Sequence, residues 1–541
     1  MNELNKAACE HKAVEIMKKP GGPAPLLSSP GFFPERVRLT PDLPAVIYGT
    51  ESGITTVTWR DLFKKAARMQ SLLKRLPEKT VLLPARGSAN YAAAFLGALY
   101  LKKIILPFSL RECESRLAEI REITNGVIFD PENAAVRDLP VTPETSYEFT
   151  DLLSGSDPNA PASLLMSSGS SGTPKIIVHS LKNHLISAEN ACRALGLTPA
   201  DRYALSLPLN HAGGQAVIFR AVVSGAALAA WDPELSLPDS IARSGITALS
   251  LVPTQIWRLV NENPSPEKLR SLKWILAGGA PLAPEIVRKF RMLYPGVRLF
   301  VSYAMTETAS LAFLGELTGG PRDYSGKPLP GWSCRISGAV PGGSPENSPD
   351  LTETPGEVLI RGPSLALGCL NAAGAIAGLL NPDGWFATGD TGIVTPDGLR
   401  ILGRRDFMFI SGGENIIPES VERELLKIPG IREAVVVPLP DAEWGAMAAA
   451  VIKTAKPLPE CQPGSTDGLP APLPRAIRES LKNAAALLLD RVRIPKVWLP
   501  WNPAWDLGLK IKRKEVQEYA LACWQREGFS EKRRGETQSE G

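Results

Sequence analysis

Cysteine and histidine are scarce in this 541-residue chain, with seven of one, none in a CxxC pair, and four of the other. Neither a disulfide framework nor a thiolate zinc site can be built from so few, widely spaced groups, and a reducing, cytoplasmic setting is expected. An excess of one charge is also missing. Lys+Arg at 60 against Asp+Glu at 56 leaves +4, too little to hold nucleic acid through the overall field. No uninterrupted apolar run approaches the roughly 18 residues that cross a bilayer, so no membrane span is expected. The first thirty residues scatter Glu3, Lys6, Glu10, Lys12, Glu15, Lys18 and Lys19 where a signal peptide would need an apolar core. What remains is an ordinary globular balance, 44% hydrophobic and 21% charged. The length calls for roughly three or four folding units.

Residues 1–30 read as a loosely ordered extension. From Trp59 to Leu76 apolar residues recur at helical spacing. Val81–Leu83 then reads as a strand, 90–101 as a small-residue helix and Ile104–Leu106 as the next strand. The rhythm returns at 248–252, 274–276 and 299–301, which predicts a large α/β domain over 31–405 built from two doubly wound parallel subdomains. From about 320 to 405 short strands punctuated by Gly, Pro, Asn and Asp predict a small β subdomain. A small α+β unit is expected over 406–528, with a helix at 420–428, a strand at 433–438 and a Pro/Gly-rich surface insertion at 456–474. The tail 529–541 is almost free of apolar residues and is expected to be disordered.

The most informative stretch runs from Ser167 to Lys175, with five hydroxyls, two glycines and one lysine between the apolar runs 164–166 and 176–178. Two such runs predict strands, and the segment between them the loop of a β-hairpin. Glycines admit a ligand close to backbone, Ser168, Ser171 and Thr173 can donate to phosphate oxygens, and Lys175 adds a point charge. A solvated Ser/Gly turn would have the same composition. It is not a P-loop, because Pro174 stands where glycine must precede the lysine.

Tyr303-Ala304-Met305-Thr306-Glu307 follows a predicted strand, where open α/β sheets place ligands. Tyr303 can stack on a base, Thr306 donate to a phosphate and Glu307 hold Mg²⁺; an ordinary helix start with a Thr cap and an early Glu would look alike. Gly278-Gly279-Ala280 closes another predicted strand as a close-approach surface or a plain turn. Asp390, in Thr388-Gly389-Asp390, can accept ribose hydroxyls. Gly403-Arg404-Arg405-Asp406 precedes Ser411-Gly412-Gly413-Glu414, and Lys510–Lys514 places four basic residues in five, a pattern a solvated helix start shares.

In this order the segments resemble the adenylate-forming superfamily of acyl-CoA synthetases, luciferases and peptide-synthetase adenylation domains, over Trp59 to Val516. Its phosphate loop resembles 167–175, its Y-G-x-T-E box 303–307, its TGD box 388–390, its hinge 403–406 and its terminal G-K-I-x-R box 508–513, where Leu509 intrudes. One branch, the o-succinylbenzoate–CoA ligases of menaquinone synthesis, resembles the chain further at Val178-His179-Ser180, Leu205–Leu209 with His211, Gly214-Gln215, Ser250–Arg258 and Ser411–Glu414. Asn210 and Ala304 depart from the pattern, standing where an aromatic and a glycine are usual.

The resemblance implies ATP, Mg²⁺ and coenzyme A. Lys175 and the loop hydroxyls would hold the outer phosphates, Glu307 the metal, Tyr303 the adenine beside Gly278–Ala280, Asp390 with Arg404 the ribose, and Thr306 the α-phosphate. Lys510 would serve adenylation. A pivot at Asp406 would then bring Gly412 and Gly413 alongside pantetheine for thioester formation. For the acid, Arg220 stands inside the apolar run 217–223, where a charge needs a partner such as a second carboxylate or, structurally, backbone carbonyls. His211, Gln215 and Ser250 are the other expected acid-pocket residues, with a core-filling histidine an equal reading for His211. Another aryl- or acyl-CoA synthetase and a non-catalytic nucleotide binder remain open, as does self-association into a homo-oligomer.

Overall fold

The computed structural model describes residues 32–50, 53–133, 157–167, 175–230, 234–280, 282, 284–318, 325–337, 352–371, 373–411, 414–441, 444–455, 473–507 and 512–525. The expected N-terminal extension and tail lie outside these residues, as does nearly all of the expected insertion. The chain divides into two compact units: Met1–Pro281 with Lys289–Cys334 and Ile360–Ala387, and Leu282–Arg288 with Arg335–Leu359 and Thr388–Gly541.

The first unit contains two sheets. The nine-stranded one runs, edge to edge, Lys327–Pro328, Ser310–Glu316, Arg298–Met305, Trp274–Ala277, Ala248–Leu251, Arg202–Ala204, Ala227–Ala229, Pro44–Thr50 and Gly53–Thr58. The seven-stranded one runs Ile376–Ala377, Gly368–Leu370, Lys175–Ser180, Pro161–Ser167, Ile104–Phe108, Thr80–Pro84 and Gly126–Ile128. Their centres are parallel: Ala248 pairs with Trp274 and Trp274 with Arg298 in one, Thr80 with Ile104 in the other. These central strands are buried on both faces, which is why they read as plain apolar runs. The expected two-part α/β architecture is therefore present, with antiparallel hairpins added at the edges. Ser310–Glu316 returns against Arg298–Met305 because Ala309 and Ser310, at φ 53° and 99°, reverse the chain after one 3₁₀ turn and leave no length for a crossover helix.

Helices follow their caps. Thr58 accepts from the Asp61 N–H and starts Trp59–Leu73, whose face of Trp59, Leu62, Ala66, Met69 and Leu73 is buried. The next helix, Ala89–Tyr100, is buried nearly all round. The two pack closely enough that a Cβ on Gly97 would lie 2.8 Å from the Ala66 carbonyl oxygen.

The C-terminal part of the second unit is a three-stranded sheet of Ile431–Asp441, Gly445–Thr454 and Val497–Pro500. Alternate side chains separate two cores. Val436, Ala448 and Ala450 meet Val421, Leu425, Leu481 and Ala485 of helices Pro418–Leu425 and Arg475–Ala486. Val437, Ala449 and Val451 meet Val516, Tyr519 and Ala520 of helix Arg513–Gln525. Leu473, assigned from sequence to the surface insertion, is 1% exposed in the first of these cores, so the globular fold resumes earlier than composition implied.

Arg513 ties this unit together. Its Nη1 and Nη2 donate to Glu422 Oε1 and Oε2 at 2.6 and 3.1 Å, and its guanidinium lies 5.0 Å from the Phe407 ring centre. Replacing Arg513 with methionine takes the cation from two largely buried carboxylates, Glu422 and Glu419, the second 3.5 Å from Nη2 and raised above the usual glutamate range by burial. Urea denaturation of Arg513→Met is expected to show about 3–5 kcal/mol lost. The Arg513→Met, Glu422→Met double variant should lose less, because only the more distant carboxylate of Glu419, 3.5 Å from Nη2, is left without its cation.

Candidate active site

The hairpin predicted around the Ser/Gly-rich loop is present: Pro161–Ser167 and Lys175–Ser180 pair antiparallel, with Ser167 opposite Lys175. Lys175 is exposed where the second strand begins. Ser168, Ser171 and Thr173 lie outside the described residues.

The segment 303–308 does not open a helix, as its cap-like residues had allowed. The strand continues to Met305 and gives way to one 3₁₀ turn, Thr306–Thr308. Tyr303 is therefore a strand residue, 8% exposed and edge-on to Phe313 at 5.7 Å. Thr306 and Glu307 are half-buried. This turn supplies an internal bond from the Ala309 N–H to Thr306 O at 3.3 Å, and further donors to its buried carbonyls come from outside it. The oxygens of Thr306, Glu307, Thr308 and Ala309 accept from His179 Nε2 at 2.8 Å, Ala366 N at 2.8 Å, Ser364 Oγ at 3.1 Å and Ser187 Oγ at 2.8 Å.

His179 is fully buried. Because a carbonyl only accepts, its proton must sit on Nε2, and Nδ1 is left without a partner. His184, 5.0 Å away, meets Ser163 Oγ at 2.6 Å and stacks on Phe219 at 4.4 Å. Burial pushes His179 down to about 4, only partly offset by its bond to Thr306. Burial and the neighbouring His179 hold His184 well below its ordinary value.

Beyond the ends of the central strands lie Gly278–Ala280, with Gly279 at φ +86°. Ser250, 3% exposed on the strand before them, meets the Tyr203 hydroxyl at 2.6 Å. That hydroxyl in turn receives Arg220 Nη1 at 3.0 Å, and Arg220 Nη2 donates to Ser310 Oγ at 3.0 Å. Arg220 is 1% exposed and its Nε has no hydrogen-bond partner. No carboxylate forms a salt bridge with it among the described residues, and its bonds run to hydroxyls, not to the backbone carbonyls a purely structural arginine would use. Tyr203, absent from the sequence expectations, is the link between Arg220 and Ser250. An aromatic on a strand gave no sign of that role.

Gln215 is fully buried with neither amide atom bonded. His211 is exposed as the residue before helix Ala212–Ser224, so the core-filling reading of it fails. It stands one helical turn from Gln215, whose N–H donates to its carbonyl.

In the second unit Asp390 and Arg404 face each other across a hairpin. Arg404 Nη1 donates to Asp390 Oδ1 at 3.1 Å and to Thr388 O at 2.9 Å, while Nη2 reaches Asp406 Oδ2 at 3.1 Å. Burial works against the guanidinium, but the two carboxylates raise its pKa. Gly389, at φ +71°, holds a backbone conformation that L side chains rarely adopt, and a Cβ there would crowd Arg404 Nη2 at 3.0 Å. Asp406 lies in the 3₁₀ turn Arg405–Phe407. Ser411 and Glu414 face each other across a second hairpin; Gly412, Gly413 and Lys510 lie outside the described residues.

A model of the AMP-binding enzyme family matches residues 33–370, and the chain belongs to that family. Within it, the chain is similar to the 2-succinylbenzoate–CoA ligase of Salmonella typhimurium, 33% identical over 67% of this chain and 70% of the relative. The Bacillus subtilis enzyme of the same name is 30% identical over 80% and 90%. Among solved structures, an E. coli MenE variant with bound OSB-AMS superimposes at TM-score 0.70 and 26% identity, covering 92% of this chain and 99% of that one. MenE from Bacillus subtilis with the acyl-adenylate OSB-AMP gives 0.69 and 26% over 87% and 94%.

A neutral buried histidine has a testable consequence. With His179 near 4 when folded and about 6.5 when unfolded, the unfolded chain binds the extra proton between those values. The stability conferred is complete above pH 6.5 and declines as pH falls toward 4, by on the order of 3 kcal/mol from this group. His184 acts in the same direction. Urea midpoints should fall between pH 7 and 5, and more gently in His179→Gln. Midpoints that stay level would contradict the neutral pair.

Proposed function

We propose that this AMP-binding enzyme converts o-succinylbenzoate, ATP and coenzyme A to o-succinylbenzoyl-CoA, AMP and pyrophosphate, as a cytoplasmic step of menaquinone biosynthesis. The observation that carries the substrate is Arg220. A guanidinium 1% exposed, with no carboxylate bridged to it among the described residues, needs an anion nearby. o-Succinylbenzoate has one to spare, since only its succinyl carboxylate reacts. The Arg220–Tyr203–Ser250 chain supports a reading in which the aromatic carboxylate meets the hydroxyl end of the chain with the cation behind it. Gln215, its amide unbonded, is suited to complete the pocket, with His211 at its rim. The five described cysteines are free thiols, in keeping with a reducing compartment.

A carboxylate does not acylate a thiol while its leaving group is oxide. In the proposed first step the succinyl carboxylate attacks the α-phosphorus of ATP in line and pyrophosphate leaves. Lys175 with Ser168, Ser171 and Thr173 holds the outer phosphates, Thr306 donates to the α-phosphate, Tyr303 packs on adenine beside Gly278–Ala280, and Asp390, held by Arg404, takes the ribose hydroxyls. No cluster of three metal-ligating side chains occurs among the described residues. Mg²⁺ shared by triphosphate and one carboxylate needs none, and Glu307 on its tethered turn suits that role. Held there, the ion would neutralise charge on the phosphates. Lys510 serves the charge developing between carboxylate and phosphate. In the second step the CoA thiolate attacks the acyl carbonyl and AMP leaves, after a pivot at Asp406 withdraws Lys510 and brings Gly412 and Gly413 to pantetheine.

A panel of carboxylic acids assayed for CoA thioester and AMP is the first test, and o-succinylbenzoate should lead it. Arg220→Met should raise the KM for o-succinylbenzoate at least about tenfold while leaving that for ATP unchanged. A substrate lacking the aromatic carboxylate should suffer little further loss; equal damage to both acids removes the support for this substrate.

Lys510→Ala should slow adenylate formation by on the order of 10²–10³ yet convert preformed acyl-adenylate and CoA to thioester normally. Asp406→Pro, whose ring fixes φ near −65°, should release pyrophosphate and accumulate acyl-AMP with little CoA consumed. Wild-type thioester formation by a folded Asp406→Pro enzyme places the pivot elsewhere.

A further inference from the structure

Of the four donors that fasten the turn after Met305, one belongs to the strand leaving the Ser/Gly-rich loop. His179 lies four residues beyond Lys175 in the same strand and reaches across to Thr306 O at 2.8 Å. The imidazole cannot readily reorient. It is fully buried, and its neighbour His184 is itself stacked on Phe219 at 4° between ring planes. The turn cannot relax into a helix either, since Ala309 and Ser310 hold positive φ angles of 53° and 99°.

We infer that His179 is a positioning residue of the adenylation half-reaction: its Nε2–H fixes the Thr306 peptide and thereby sets the Thr306 hydroxyl and the Glu307 carboxylate relative to the hairpin that carries Lys175. This rests on the proposed roles of Thr306 at the α-phosphate and Glu307 at Mg²⁺. The hairpin and the turn belong to different sheets, so their spacing is not set by a common hydrogen-bond ladder. Without the imidazole, the Thr306 carbonyl keeps only the longer bond from the Ala309 N–H at 3.3 Å, and the turn can shift, carrying the side chains of Thr306 and Glu307 with it. A displacement of about 1 Å at such a site can cost 10²-fold in rate. Arg220, Tyr203 and Ser250 do not bond to His179 or to the Thr306 carbonyl, so acid binding should be spared.

The test uses the full-length enzyme with His179→Leu, which fills the space without a donor, and His179→Gln, whose amide N–H can occupy the place of Nε2. Acid-dependent ATP–pyrophosphate exchange should fall about 10- to 100-fold in His179→Leu, with a several-fold higher KM for MgATP and a higher Mg²⁺ requirement. The KM for the acid should stay within about twofold, and preformed acyl-adenylate should give thioester at the normal rate. His179→Gln should recover most of the exchange rate. Wild-type exchange in His179→Leu overturns the inference, as does equal loss in both half-reactions without recovery in His179→Gln. Should His179→Leu not fold, His179→Asn, whose amide is too short to reach the carbonyl, replaces it: a MgATP defect in Asn but not Gln supports the inference, and identical behaviour overturns it. Absence of acid-dependent exchange in the wild type would instead sink the functional reading itself, and this inference with it.

Discussion

The arrangement depends on satisfying a backbone that belongs to no regular element. From Thr306 to Ala309 the chain leaves one strand and turns back as another, and beyond the turn's own bond from the Ala309 N–H to Thr306 O at 3.3 Å its carbonyls draw donors from elsewhere. Each is met by a different partner, from His179, Ala366, Ser364 and Ser187. These partners come from the other sheet's hairpin strand, the helix that follows it, and the segment between residues 362 and 367. The turn therefore gathers distant pieces of the first unit around Thr306 and Glu307.

The same turn continues into the environment of Arg220. Ser310, held at φ 99°, accepts from Nη2 of that guanidinium, and Tyr203 carries the other branch to Ser250. A fully buried cation bonded only to neutral hydroxyls is incompletely compensated. Such a site costs stability unless an anion completes it. The second unit treats its charges differently. Arg513 is bidentate to Glu422, and Arg404 is divided between Asp390 and Asp406.

Much of the fold was legible because its central strands are plain apolar runs and its helices carry caps and a single apolar face. Trp59–Leu73 and the hairpin around residues 168–174 follow directly from local pattern. The turn at 306–308 did not: a Thr followed by a Glu is equally at home in a helix start, and only the pairing of Ser310 with Met305 decides otherwise. His211 was ambiguous for a related reason, since an aromatic ring beside an apolar helix can face inward or stand at its exposed start.

By itself the sequence determined the classes of element, the order of the chemistry-bearing segments and the family that order resembles, because those follow from periodicity and from which side chains can donate, accept or carry charge. Only the tertiary structure decided that Arg220 reaches Ser250 through Tyr203, that Gln215 has a buried amide with nothing bonded to it, and that His179 holds the Thr306 carbonyl. Those contacts join residues as far as 127 positions apart. Hydrogen bonds act over about 3 Å, and no local pattern tells which distant donor the folded chain will bring that close.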